Sequence, residues 1–133
     1  MRNAVLDSHA VLALLFAEDG AETVRRLFQE AAADQRDLFI AAVNWAEVGY
    51  CVLRENGPAD WDRCRSSLLQ TPLHIVDAGR ELAELAAGYK ANHRMSLADA
   101  FAAALARQKK ALLVTGDPEF KPLEGEIEIR WLK

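Results

Sequence analysis

The sequence contains few cysteines and fewer basic than acidic residues, and each of these features argues against a particular class of protein. The two cysteines, Cys51 and Cys64, stand in no CxxC or Cys/His spacing, which argues against a zinc site and favours reduced thiols in the cytosol. Sixteen Lys and Arg residues face 20 Asp and Glu residues, for a formal net charge of −4. A protein that coats nucleic acid without sequence preference would be basic, so that class is not favoured.

A long apolar run is also absent. The longest, Ala10–Ala17, has eight residues, whereas a membrane-spanning helix needs about 20. Arg2 precedes an apolar stretch in the manner of a signal peptide, but Asp7, Ser8 and His9 interrupt it and no small-x-small cleavage site follows. The sequence therefore predicts a cytoplasmic protein with no membrane partner.

The length and composition are those of an ordinary globular protein. The chain has 133 residues, of which 51% are hydrophobic and 27% charged, enough for one domain with a buried core. We find no internal repeat, low-complexity tract or interdomain linker in the sequence. A single domain over residues 1–133 is expected.

Short apolar runs that predict strands alternate with segments of helical periodicity. Strands are predicted at 4–6, 38–43, 73–76, 111–115 and 127–132, and helices at about 8–18, 21–33, 44–57, 59–70, 78–90 and 96–110. This alternation favours a mostly parallel sheet in a three-layer α/β/α sandwich. The fold class alone does not indicate a function.

Four acidic residues fall where such a fold would bring them together. Asp7 and Asp117 directly follow predicted strands, so both should lie at the carboxyl edge of the sheet, where α/β proteins bind ligands. Glu47 and Asp99 each lie three residues after a predicted helix cap, in first turns that face the same edge. The topology thus predicts one acidic cluster.

Each of these acids, taken singly, has a simpler interpretation. Glu47 and Asp99 have the spacing of capping boxes, and Asp7 is well placed to cap its helix. Asp117, within Gly-Asp-Pro, has the sequence of a turn residue. Independent caps have no reason to gather at one end of one sheet, so the joint pattern favours a shared role.

The chemistry of clustered carboxylates points to bound cations. Neighbouring carboxylates repel and raise one another's pKa unless a positive charge compensates them. Mg²⁺ takes hard oxygen ligands and commonly uses one or two carboxylates together with substrate phosphate oxygens. Two such ions about 4 Å apart activate water and stabilise the leaving oxygen in phosphodiester cleavage. The cluster therefore predicts metal-assisted hydrolysis of a nucleic-acid backbone.

The same acids lie in four short motifs that together span nearly the whole chain. They are Val5-Leu6-Asp7-Ser8, Ala46-Glu47-Val48, Ser96-Leu97-Ala98-Asp99-Ala100 and Val114-Thr115-Gly116-Asp117-Pro118-Glu119-Phe120. In this order and at these spacings, the set resembles the PIN-domain family, and within it the VapC-type toxin ribonucleases of bacterial toxin–antitoxin pairs.

The resemblance implies an endoribonuclease that depends on Mg²⁺ or Mn²⁺, forms a homodimer and is inhibited by a cognate antitoxin protein. Four residues match the family's acidic catalytic and metal-binding positions: Asp7, Glu47, Asp99 and Asp117. Ser8 and Thr115 match the small hydroxyl positions that support them. Every acidic position of the family pattern is filled in this sequence.

Cationic residues precede the third motif. Lys90, His93 and Arg94 are candidates for contacts to RNA phosphates, which mainly position a substrate. A solvated helix end, where cations suit the helix dipole, is the simpler interpretation of the same residues.

Three further residue types near the motifs have structural interpretations. Glu119 is expected to be a surface acid, with a water-mediated metal contact as the alternative. Gly116 is expected to permit the turn that aims Asp117, because glycine tolerates backbone angles that other residues resist. The tryptophans, Trp131 among them, are expected to be packing residues. A role as platforms for base stacking is the less favoured alternative.

Two other functions remain open from the residues alone. One is a non-catalytic interaction module on the same fold, against which the four intact acids count. The other is a phosphoacceptor or phosphatase domain with Asp7 as nucleophile, but the early acidic pair and late Lys of a receiver domain are missing. A nucleotide-dependent oxidoreductase is weaker still, since no GxGxxG follows the first strand.

Overall fold

The computed structural model describes residues 1–132. In that range the strands are β1 (Ala4–Leu6), β2 (Leu38–Ala41), β3 (Leu73–Val76), β4 (Leu112–Thr115) and β5 (Ile129–Trp131). The helices are α1 (Ser8–Leu15), α2 (Ala21–Ala32), α3 (Ala42–Asn56), α4 (Pro58–Leu69), α5 (Arg80–Asn92) and α6 (Leu97–Lys109), with a 3₁₀ helix at Pro118–Leu123. Lys133, the last residue of the predicted domain, lies outside the described residues.

The strands form one sheet in the order β3-β2-β1-β4-β5, and each neighbouring pair is parallel. From β1 the chain adds strands outward on one side, and it then returns to place β4 on the other side of β1. The strand order therefore reverses between β1 and β4, and such a switch point is where open α/β sheets bind ligands. The α/β prediction is confirmed, with a sheet that is parallel throughout the described chain.

Helices cover both faces of the sheet. Val5 packs into the core formed with α5 and α6, whereas Ala4 and Leu6 pack into the core formed with α1, α2, α3 and α4. Successive strand residues point to opposite faces, so a strand with apolar residues throughout must be covered on both. This is the predicted three-layer sandwich.

Helix α6 is buried along most of its length, from Asp99 to Ala106. Three consecutive alanines, Ala102, Ala103 and Ala104, are fully buried, and small side chains allow the helix to lie close against the sheet. The helix contacts β1, β2 and β4 on one side and α5 on another. Its N-terminal turn, which carries Asp99, is thereby held firmly against the sheet.

Helix α3 begins earlier than the sequence predicts. The run 38–43 is expected to be strand, but β2 ends at Ala41 and α3 begins at Ala42. Asn44 consequently lies inside the helix, so the predicted capping box with Glu47 is wrong. An apolar run such as this does not by its periodicity distinguish a buried strand from a buried helix.

No helix within residues 1–132 has both the length and the hydropathy that crossing a bilayer requires.

Candidate active site

Asp7 connects the central strand to the first helix. It follows β1 directly and caps α1, with its Oδ1 accepting a hydrogen bond from the Ala10 N–H at 2.8 Å. Its Oδ2 accepts a hydrogen bond from the Thr115 hydroxyl. Asp7 is only 1% exposed, so its carboxylate has almost no contact with water. Two hydrogen-bond donors hold it in place.

Thr115 links the two strands of the switch point. It ends β4, and its hydroxyl donates to Asp7 while accepting a hydrogen bond from the Asp117 N–H at 2.9 Å. The Asp117 Oδ1 in turn accepts from the Glu119 N–H at 2.9 Å and caps the 3₁₀ helix. Thr115, which the sequence predicts to support the acids, therefore forms hydrogen bonds with both Asp7 and Asp117.

Two helices contribute the remaining predicted acids. The Glu47 Oε1 on α3 accepts a hydrogen bond from the Ser8 hydroxyl, and its Oε2 lies 3.4 Å from the donating Tyr50 hydroxyl. Asp99 lies in the first turn of α6, where its N–H donates to the Ser96 Oγ at 3.1 Å. Ser96 is thus the helix cap that the sequence predicts.

The structure brings the four predicted acids into one cleft of about 340 Å³. Its walls are formed by Asp7, Ser8, His9, Leu12, Glu47, Ser96, Asp99, Asp117 and Glu119. Within the described part of the chain, none of the residues that line this cleft is Lys or Arg. The cleft therefore concentrates acidic side chains without a lining Lys or Arg to balance them.

Burial, with a smaller contribution from the neighbouring charges, raises the pKa of two of these acids. Burial raises the pKa of Asp7 to about 7, against the opposing effect of its hydrogen bonds from Thr115 and Ala10. Burial, together with the charges of Asp117 and Asp7, also raises the pKa of Asp99 to about 7. Such shifts, in a cleft and with named charge partners, are typical of functional sites.

Three carboxylates are close enough to hold one cation together. Ligand oxygens of Asp99, Asp117 and Glu119 lie within 4.8 Å of one another. Glu119 is exposed, as expected, but it joins the cluster because the turn capped by Asp117 places it over the cleft. The Asp-Pro-Glu spacing in the sequence could have indicated that Glu119 joins the cluster. The interpretation of Glu119 as a surface acid does not use that spacing.

The family follows from comparison with known domains. The profile of the PIN domain matches residues 4–126, which include all four acids. The chain belongs to the PIN-domain family.

This PIN domain shares its fold with solved structures of toxin–antitoxin proteins. A chain of VapBC2 from Rickettsia felis, bound to a DNA fragment from its promoter, superposes with a TM-score of 0.79 and 16% identity over 98% of each chain. DNA-bound VapBC from Salmonella typhimurium gives 0.78 and 18%, again over 98% of each chain. Mycobacterium tuberculosis VapC20, described as a sarcin–ricin loop cleaving toxin, gives 0.75 and 20%, over 96% of this chain and 99% of that one.

At these identities the likeness concerns the fold. No curated protein sequence matches the chain.

The predicted RNA-contacting residues do not line the acidic cleft of this PIN domain. Helix α5 continues to Asn92, past the predicted end at Lys90. The His93 Nε2 lies 3.8 Å from the Glu126 Oε2, at a separate cavity. Lys90 and Arg94 are exposed. Contact between these residues and RNA stays a prediction.

The structure gives a different reason for glycine at position 116 from the one that the sequence suggests. Its backbone does not adopt the left-handed conformation that favours glycine. A Cβ at this position would instead lie 2.5 Å from the Cε1 of His9 and 3.0 Å from its Nδ1. Any side chain at this position would therefore displace the ring of His9, an exposed cleft residue that the sequence interpretation does not single out.

Proposed function

We propose that this PIN-domain protein is a metal-dependent endoribonuclease and the toxin of a toxin–antitoxin pair. The observation that carries the proposal is the convergence of Asp7, Glu47, Asp99 and Asp117 in one cleft at the switch point of the sheet. Family membership and the fold shared with VapBC structures support the same assignment.

The donor set of the cleft fits a hard divalent cation. Asp99, Asp117 and Glu119 would hold one ion, with Asp7 and Glu47 close by on the same walls. Carboxylate oxygens without thiol or imidazole pairs suit Mg²⁺ or Mn²⁺ better than zinc. When bound, such ions activate a water molecule and stabilise the leaving oxygen of a phosphodiester.

The chain's own side chains prepare the cleft for that chemistry. Thr115 and the Ala10 N–H hold the Asp7 carboxylate in one orientation, and Ser8 does the same for Glu47. With pKa values of about 7, Asp7 and Asp99 carry protons for part of the time at neutral pH. They must release these protons to act as ligands, so cation binding and proton release are coupled.

The environment of Asp7 argues against the phosphoacceptor alternative. Both of its oxygens accept hydrogen bonds, and its side chain is almost wholly buried. A nucleophile must instead reach its substrate in a near-attack geometry, about 3–3.5 Å from the reacting atom. Asp7 is better suited to orienting a cation than to attacking phosphorus.

The test is cleavage of total cellular RNA by the purified protein in Mn²⁺ or in EDTA. We expect discrete fragments in Mn²⁺, no fragments in EDTA, and no cleavage by a folded Asp7→Asn variant. Asp62→Asn is the matched control, because Asp62 is an exposed acid on α4 that pairs with Arg65 at 3.1 Å and does not line the cleft. A folded, metal-loaded wild type that cuts no RNA would favour the non-catalytic module.

We also infer a protein partner and a dimer. A solved structure of the same fold is a toxin–antitoxin complex from Klebsiella pneumoniae, which supports a cognate antitoxin for this chain. Expression of the chain in the cytoplasm should arrest growth, and co-expression of its antitoxin should restore it. Light scattering of the purified protein tests the homodimer, for which twice the 14.7 kDa mass is expected.

A further inference from the structure

A second cavity borders the turn that carries Asp117. It measures about 490 Å³ and is lined by Gly116, Pro118, Lys121, Glu124, Trp131 and Leu132. Gly116 and Pro118 line this cavity, whereas Asp117 between them lines the acidic cleft. One turn of backbone therefore separates the two spaces. We call this space the Trp131 cavity.

The strand register places Trp131 one strand away from the acids. Trp131 on β5 pairs with Thr115 on β4, and Thr115 forms hydrogen bonds with both Asp7 and Asp117. Neighbouring strands lie about 4.8 Å apart. The Trp131 cavity therefore lies beside the acidic cleft at the carboxyl edge of the sheet.

The walls of the Trp131 cavity combine a fixed aromatic ring with a cation. Trp131 packs against the core formed with α5 and α6, as expected of the tryptophans, but it is only partly buried and also lines the cavity. Its Nε1 donates a hydrogen bond to the Glu124 Oε2 at 2.8 Å, which restrains the indole plane. Lys121 is exposed at the same cavity. An aromatic platform beside a cationic side chain is the combination that single-stranded nucleic-acid sites use.

We propose that the Trp131 cavity binds one nucleobase of single-stranded RNA, stacked on Trp131, with Lys121 contacting an adjoining phosphate. This rests on the proposed ribonuclease function. The acidic cleft repels phosphates, and the described residues that line it offer no Lys or Arg to hold a strand. A bound cation would contact only the phosphate that is cut, so the rest of the strand must be held by neighbouring surfaces, and the Trp131 cavity adjoins the cleft.

The experiment separates binding from cleavage. The probe is a fluorescein-labelled, single-stranded oligoribonucleotide of mixed sequence, whose anisotropy reports binding to the Asp7→Asn protein in Mn²⁺. Adding Trp131→Leu should weaken binding by about 5- to 150-fold, the loss of one base–aromatic stack. Trp131→Phe should keep most of the affinity, because a ring remains. In the active enzyme, Trp131→Leu should raise KM and change kcat little.

Lys121→Gln provides a second test that carries little folding risk, because the side chain is exposed. It should weaken binding and lower the slope of log affinity against log salt by about one. The matched control is Lys109→Gln at the opposite end of α6, about 15 Å along the helix from Asp99. Lys109→Gln should leave affinity unchanged.

The outcomes distinguish the two proposals. If the wild type cuts RNA, but Trp131→Leu and Lys121→Gln both bind like their parent, the Trp131 cavity is not a base site and the nuclease stands. If RNA binds through Trp131 and Lys121 without cleavage, the cavity stands and the nuclease proposal falls. If folded protein neither binds nor cuts the probe, both are wrong. Should Trp131→Leu not fold, Lys121→Gln decides.

Discussion

At the scale of single residues, the site is built from carboxylates held in unfavourable surroundings. Asp7 is buried, and its neighbours Asp117 and Glu47 add to the rise of its pKa. Hydrogen bonds from Thr115 and Ala10 compensate only in part. The folded protein therefore keeps a group that would be more stable as its neutral form, an arrangement that a bound cation would relieve.

This arrangement predicts how stability depends on pH without metal. The pKa of Asp7 is about 7 in the folded protein, against an ordinary value of 3.8 for an exposed aspartic acid, so between these values the folded state binds the extra proton. Stability from this group is full below about pH 4 and is lost as pH rises through about 7. Each pKa unit corresponds to about 1.4 kcal/mol, so the total loss is about 4 kcal/mol at most.

Asp7→Asn should remove this dependence while retaining an oxygen to accept from Ala10. In EDTA at pH 8 we expect the variant to melt at a higher temperature than the wild type, with a smaller difference at pH 5. Thermal melts from pH 5 to 8 measure the effect. Parallel curves for the two proteins would show that Asp7 ionises with an ordinary pKa.

Thr115 is expected to act as a positioning residue. Thr115→Val keeps the side-chain shape but removes the hydroxyl that donates to Asp7 and accepts from the Asp117 N–H. Because that hydroxyl lowers the pKa of Asp7, the pH–rate profile should move to higher pH. Mn²⁺ affinity should fall by about 10- to 100-fold, as for other outer-shell partners.

Isothermal titration and pH–rate profiles measure both effects of Thr115→Val. Thr115→Ser restores the hydroxyl and should recover most of the affinity. An unchanged pH profile with lower stability would mean that Thr115 supports only the fold.

At the scale of helices and strands, local signals predict the ends of some elements and misplace others. Ser96 caps α6 as its spacing indicates, because the capping hydrogen bond joins residues three apart. The same spacing at Asn44 misleads, since Asn44 caps nothing. Its Nδ2 instead donates to the Ala98 carbonyl at 3.0 Å, a contact 54 residues away that no local pattern reveals.

That contact predicts a structural role for Asn44, which is fully buried and ties α3 to the N-terminus of α6. Asn44→Ala should lower the free energy of unfolding by about 1 kcal/mol, the net contribution of one hydrogen bond, because the link between Asn44 and the Ala98 carbonyl is lost. Urea unfolding measures this loss. Metal affinity should also fall, since Ala98 directly precedes Asp99.

The matched control for Asn44 is Asn56→Ala at the end of the same helix. Asn56 is exposed, and its amide donates to Asp60 at 2.9 Å, so its loss should cost no more than about 0.5 kcal/mol. Equal costs at the two positions would contradict the interhelix role of Asn44.

At the scale of the whole molecule, the edge at which the acids lie is predictable from the sequence without the strand order. Acids that follow parallel strands lie at the carboxyl edge in any arrangement of the sheet, so Asp7 and Asp117 could be assigned to the same edge. That β1 and β4 are neighbours depends on packing between distant segments, and this makes Thr115 a bridge between the two acids. The cavity beside Trp131 follows from the same order and is invisible to periodicity.

The acidic cleft also predicts that metal stabilises the molecule as a whole. A cation that binds only the folded state raises its stability by about 2.7 kcal/mol at 100 times the dissociation constant. For a chain of this length, that corresponds to a rise in melting temperature on the order of 10 °C. Mg²⁺ or Mn²⁺ should therefore raise the melting temperature of the wild type.

The size of this metal effect should itself depend on pH. Protons compete with the cation at Asp7 and Asp99, whose pKa values are about 7, so the stabilisation should be large at pH 8 and small at pH 5.5. Melting curves with Mn²⁺ and with EDTA at both pH values measure it, with Asp62→Asn expected to match the wild type. Equal stabilisation at the two pH values would place the cation away from these buried carboxylates, because only ligands that titrate in this range transmit the pH dependence to metal binding.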